Sequence, residues 1–266
     1  MDEAGTSARE PVSVVVGIIA DADHDLVVAD KLVEEALCSV PHSLQDGFRF
    51  HAKQVLGDRK YQEAGWSLTN RLELLYSMMS IPKRVGMAVC VGVHWRGAVD
   101  WKPDGNLAKN GLSAAQSDHF MAFFNCVGVA DRNIRRHAAP TEVASIVAED
   151  IPEMRRNLNV ALSTLQNNVI NFSRSELRET KKDKEAGYCV QDGEMTVKRV
   201  RNSIHFIPKA TDPMIQVADA CAFGFRRYFN TQKFGSDFVK AVLDDPAHLR
   251  AFGPPGGAEC YWFKKP

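Results

Sequence analysis

The 266-residue chain carries 33 basic and 33 acidic side chains, so no net field draws it to nucleic acid or to a membrane, and an anionic partner must be met by a local patch. No run approaches the roughly 20 apolar residues of a membrane span, and the opening MDEAG has neither region of a secretory leader, which points to a cytoplasmic protein. The six cysteines are scattered without a CxxC pair, most inside apolar runs, so buried thiols are expected rather than a disulfide framework or a zinc site.

Taken in order, Val12–Ala20 is a β-branched apolar run and reads as a buried strand. Leu26–Val40 has helical spacing. Phe48–Ala52 alternates, with Phe48 and Phe50 on one face and Arg49 and His51 on the other, and reads as a strand. Ser67–Ile81 is an amphipathic helix expected to stop at Pro82. Val85–Trp95 is another strand, 100–110 a loop, and Ser113–Arg136 a long helix with a basic end. Val143–Ala148 is a short strand closed by Glu149-Asp150, and Glu153–Gln166 is helical. The stretch 174–202 is polar and charged, with a hairpin signal at Asp192-Gly193. Ile204–Ile207 is a strand, Gly235–Leu243 a short helix and Cys260–Phe263 an edge strand. Strands alternating with helices predict one α/β domain over 1–266, three-layer α/β/α around a central mixed sheet, with 174–202 as a polar insertion.

The helix around which these elements are arranged is Asp212–Phe229. Asp212 suits the N-cap, Pro213 the first helical position, and Arg226 and Arg227 the last turns, where the helix dipole favours cations. At 100° per residue, Met214, Val217, Cys221, Phe225 and Tyr228 form an apolar stripe. Asp219 lies opposite, with Gln216, Phe223 and Arg226. It is the lone formal charge between Asp212 and Arg226, two turns in, where neither capping nor the dipole explains it. Either it faces water, or it is aimed into a site.

Two further acidic positions stand at element ends: Asp2-Glu3 and Glu149-Asp150. Neighbours on a strand face opposite ways, so one of each pair reaches a given site. Asp150 has a structural alternative, because Asp150-Ile-Pro-Glu153 has the form of a capping box; Glu149 has none. Carboxylates from separate elements suit Mg²⁺ or Mn²⁺, and two such ions can activate water against a phosphodiester. His51 is either a structural histidine or a usable base or ligand.

Asp2-Glu3-Ala4-Gly5, Phe50-His51-Ala52, Glu149-Asp150 and Gln216-Val217-Ala218-Asp219 form an ordered set. In order and spacing this set resembles the domain of unknown function 3800 family, over nearly the whole chain from Asp2 to about Leu243. The resemblance implies a ribonuclease H-like fold and a metal-dependent nuclease found largely in bacteria and mobile elements. It maps Asp2, Glu149 or Asp150, and Asp219 to acidic metal-ligand positions, and His51 to a site-lining one. Two features depart from the family. Ala4 stands where serine is usual, and Met1 alone precedes Asp2, where the family's first acidic residue ends a strand. The expectation is that the natural chain begins upstream and that Asp2 still lies near Asp219 and Glu149 or Asp150.

The leading expectation is thus a nuclease whose Asp2, Glu149, Asp150 and Asp219 positions bind Mg²⁺ or Mn²⁺, with His51 orienting water or touching a phosphate. Arg132, Arg135, Arg136, Lys198, Arg199 and Arg201 are either solvated surface or contacts to a nucleic-acid backbone. The rivals are a non-catalytic nucleic-acid- or protein-binding member of the same fold, and a hydrolase of small nucleotides.

Overall fold

The computed structural model describes residues 1–5, 9–97, 114–167, 170–171, 194–195, 197–245, 249, 252–253, 256–263 and 265. Strand β1 (Asp2–Ala4) turns at Gly5, pairs antiparallel with β2 (Val12–Ile19), and β2 pairs with β3 (Ala88–Trp95). Gly5 takes φ +82°, and a Cβ there would lie 2.0 Å from the Val12 carbonyl oxygen, so the turn needs a glycine. Strand β8 (Gly256–Tyr261) completes a sheet of order β1-β2-β3-β8. A separate parallel pair joins β4 (Ala144–Glu149) to β7 (Val200–Ile207), and two short strands, β5 (Ile170–Asn171) and β6 (Glu194–Met195), pair antiparallel. The Met1 nitrogen donates to the Val147 carbonyl (2.7 Å), which links the start of β1 to β4.

Helices cover both faces of the four-stranded sheet. Val12, Val14 and Val16 face one core with helices α1 (Asp25–Leu37), α5 (Leu68–Val85), α8 (Pro213–Phe229) and α9 (Gly235–Leu243). Val15 and Cys90 face the other, formed with α6 (Ala114–His137) and α7 (Pro152–Asn167). Alternation along β2 sets this division, because successive side chains leave opposite sides of a sheet. Helix α6 comes so close to β3 that a Cβ at Gly92 would lie 2.0 Å from the Ala122 carbonyl oxygen. The arrangement is mixed α/β, with a four-stranded antiparallel sheet, a parallel pair and a short antiparallel pair among the described residues, and agrees with a three-layer α/β/α plan.

Several boundaries differ from the sequence expectation. Phe48–Ala52 is not a strand: His51 is the extended N-cap of a short helix α3 (Ala52–Gly57), flanked by α2 (His42–Gln45) and α4 (Arg59–Glu63). Its alternation is that of a chain crossing the core edge, where Phe50 is buried and Arg49 exposed. Pro82 does not stop α5, which runs to Val85 and ends on Gly86 in a left-handed conformation. A proline late in a helix removes one hydrogen bond, and burial of Ile81, Pro82 and Val85 offsets that loss. Strand β7 begins at Val200, so the tail of the polar stretch is part of the fold. The loop 100–110, the hairpin signal at Asp192-Gly193 and residues 174–193 lie outside the described residues. Among the described residues, no helix is long and apolar enough to cross a membrane.

Candidate functional site

Asp212 accepts a hydrogen bond from Ile215 N (2.8 Å) and caps α8, which Pro213 opens. The apolar stripe from Met214 to Tyr228 packs as its spacing predicts, but the opposite face is also covered. Gln216, Asp219, Phe223 and Arg226 are all buried. A helix buried all round must partner each polar group it carries. Arg226 does so with Glu10 (2.6 Å).

Asp219 does so with three groups. Its Oδ2 accepts from Ala52 N (2.7 Å) at the start of α3, His51 Nδ1 lies 3.2 Å from both carboxylate oxygens, and Lys209 Nζ donates to Oδ1 (3.0 Å). The backbone places Lys209 there. Ile207 ends β7 opposite Glu149, Pro208 follows, and a 3-10 turn over Lys209–Thr211 leads into the Asp212 cap. Gln216 Nε2 donates to the Lys209 carbonyl (3.3 Å) and ties the turn to the helix.

The Lys209 ammonium is the meeting point of the cluster. It lies 2.7 Å from Glu149 Oε2, 3.0 Å from Asp219 Oδ1 and 3.1 Å from Asp2 Oδ2. The three carboxylates come from three elements: Asp2 from β1, Glu149 from the last residue of β4, and Asp219 from α8. Pleating selects the members. Asp2 is paired with Val16 and shares its face toward α8, whereas Glu3 is paired with Val15 and faces α6, 3.8 Å from the buried His119.

The electrostatics are uneven. Burial, together with the neighbouring Asp219 charge, holds the Asp2 carboxyl well above its ordinary range, with Lys209 opposing. Burial also works against the charge on Asp219, but the hydrogen bond from His51 and the Lys209 charge outweigh it and hold that carboxyl low. For Lys209, burial disfavours the charge, and the Asp219, Asp2 and Glu149 carboxylates overcome it, so its pKa is raised. Asp2 is 1% exposed, and its Oδ2 makes no hydrogen bond even though Lys209 Nζ is 3.1 Å away.

Asp150 stands apart from this cluster. Its carboxylate takes a two-pronged contact from Arg155 (Nε to Oδ1, 2.5 Å), and Arg155 holds its pKa low. Helix α7 begins at Pro152. The basic residues singled out above are partly spent inside the fold. Arg135 is buried against Asp131 (2.6 Å), which also accepts from Lys198 N (2.9 Å), and the Arg199 guanidinium donates to the Pro140 and Glu142 carbonyls. Lys198 and Arg201 are exposed.

Lys209 is the site residue that sequence reasoning missed. Its signal was slight: a lysine three residues before a helix N-cap and two after a strand end. Among the described residues, no three His, Cys, Asp or Glu side chains stand close enough to hold a metal ion as they are. The reason is geometric. Oxygens 2.7–3.1 Å from an ammonium nitrogen must close in by roughly 1 Å to meet Mg²⁺ at its preferred distance of about 2.0–2.1 Å. The donor set still fits a divalent ion: three hard carboxylates converge on one cation, and one buried oxygen lacks a hydrogen bond. Comparison with protein-family models, with curated proteins and with solved structures finds no match for this chain, so the reading of the site rests on its own residues.

Proposed function

We propose that the chain is a metal-dependent phosphodiesterase of ribonuclease H-like fold, acting on DNA or RNA. The observation that carries this reading is the convergence of Asp2, Glu149 and Asp219, from three separate elements, on one cation. The strand arrangement supports it: β1, β2 and β3 form an antiparallel set, and the hydrogen bond from Met1 N to Val147 O brings the parallel pair β4 and β7 beside β1.

In this reading Asp2, Glu149 and Asp219 hold Mg²⁺ or Mn²⁺. The bound ion supplies a Lewis acid for the phosphoryl oxygen and lowers the pKa of a coordinated water. His51, whose side chain is 37% exposed, orients Asp219 through Nδ1 and presents the rest of its ring at the edge of the cluster, where it can order a water or a phosphate. Exposed Lys198 and Arg201 are candidate backbone contacts. Asp150, committed to Arg155, has no part in the chemistry.

One observation favours a second reading. Lys209 and Ala52 N already compensate Asp219, which is the arrangement of a structural ion-pair network in a non-catalytic binding member of the same fold. Cleavage of single- and double-stranded DNA and RNA, measured with Mg²⁺, with Mn²⁺ and with EDTA, decides between them. The catalytic reading expects cleavage with either ion, none with EDTA, and none in Asp219→Asn. Cleavage that survives EDTA or that substitution overturns it.

A further inference from the structure

A cation that ligates Asp2, Glu149 and Asp219 together meets an obstacle specific to this chain, because Lys209 already stands among them. The cluster has few oxygens to spare. Asp219 Oδ2 is occupied by Ala52 N, and Asp219 Oδ1 by Lys209. Asp2 Oδ1 accepts from Glu3 N (2.9 Å), and Glu149 Oε2 faces Lys209 Nζ. The one buried oxygen without a hydrogen bond, Asp2 Oδ2, is also 3.1 Å from that ammonium. A divalent ion bound to all three carboxylates would therefore take the place of Lys209 Nζ, since two cations cannot share one set of oxygens without strong repulsion.

We infer that Lys209 is a tethered competitor of the divalent ion: in the ion-free protein its ammonium fills the ion's place and neutralises the carboxylates, and ion binding drives it out. This rests on the metal-centre reading above. The local chain is built for such an exchange. Lys209 opens a three-residue 3-10 turn between β7 and α8, its side chain is 13% exposed, and its backbone is pinned by Gln216, so the four-carbon stem alone has to move. The divalent ion is bound against an internal counter-charge, which lowers its affinity.

Two measurements on the full chain test the inference, with Mn²⁺ as the probe. In titration calorimetry, Lys209→Met keeps the apolar stem and removes the competitor, so it should bind Mn²⁺ about tenfold or more tightly than the wild type, since charge-assisted contacts no longer have to be broken. In the wild type, acetylation of Lys209 by an activated ester, read by mass spectrometry, should rise several-fold on adding Mn²⁺, while that of exposed Lys198 stays constant. The labelling readout does not depend on the variant folding without an ion to balance its carboxylates. Equal Mn²⁺ affinity in both proteins, or Lys209 labelling unchanged at saturating Mn²⁺, overturns the inference and leaves the metal centre standing. Absence of Mn²⁺ binding in both proteins overturns the metal centre and the inference together.

Discussion

Replacing Asp219 by alanine separates a carboxylate that faces water from one that organises the interior. On a solvated helix face the change would cost within about ±0.5 kcal/mol. In the structure Asp219 is 5% exposed and holds Ala52 N, His51 and Lys209. Its acceptance from Ala52 N is equivalent to a helix cap, worth about 0.5–2 kcal/mol. The bond from Lys209 is charge-assisted and part-buried, worth about 1.5–3 kcal/mol. Against these stands relief of repulsion with Asp2, the neighbour whose carboxyl Asp219 helps to hold high. The balance favours a loss of about 2–4 kcal/mol, which at 2–4 °C per kcal/mol for a chain of this size lowers Tm by roughly 5–15 °C. Asp219→Asn keeps an acceptor for Ala52 N and should lose about 1–2 kcal/mol less. Urea unfolding in EDTA, followed by circular dichroism, gives both values under metal-free conditions. A change in Asp219→Ala below about 0.5 kcal/mol, or an asparagine variant as unstable as the alanine one, would refute the assignment of Asp219 as an internal organiser.

Asp150→Ala removes an exposed ion pair with Arg155 and should change stability by less than about 1 kcal/mol while leaving cation binding alone, whereas Glu149→Gln should weaken Mn²⁺ binding; equal effects on Mn²⁺ affinity would contradict the split between these neighbours. Gly92→Ala puts a Cβ 2.0 Å from the Ala122 carbonyl oxygen and should cost about 1–3 kcal/mol or prevent folding, read by urea midpoint or soluble yield. Burial lowers the pKa of His119 below the ordinary histidine value of about 6.5. The unfolded chain then takes up that proton first, so the stability His119 contributes is complete above about pH 6.5 and is lost as pH falls toward its folded pKa. Between pH 7.5 and 5.5 the urea midpoint should therefore fall less in His119→Gln than in the wild type, and parallel pH profiles would remove this account.

Local chemistry was legible before any coordinates. Asp212 and Pro213 begin α8 because a side-chain acceptor and a fixed φ act within one turn, and Val12–Ile19 is a strand because its β-branched run suits a buried pleat. The opposed directions of Asp2 and Glu3 follow from the same pleating. Packing across the chain decided the rest. The alternation of Phe48 to His51 has the period of a strand, yet among the described residues no strand pairs with it, and Asp219 instead receives the amide that begins α3. Asp150 had the spacing of a cap, but Arg155, one turn into α7, claims its carboxylate. Lys209 gave almost no signal, because a cation becomes the hub of a cluster only when β1, β4 and α8 bring their carboxylates to it from positions up to 217 residues apart. Periodicity and capping are short-range and can be read along the chain. A buried charge is set by which distant groups share its low-dielectric surroundings, and tertiary structure alone makes that choice.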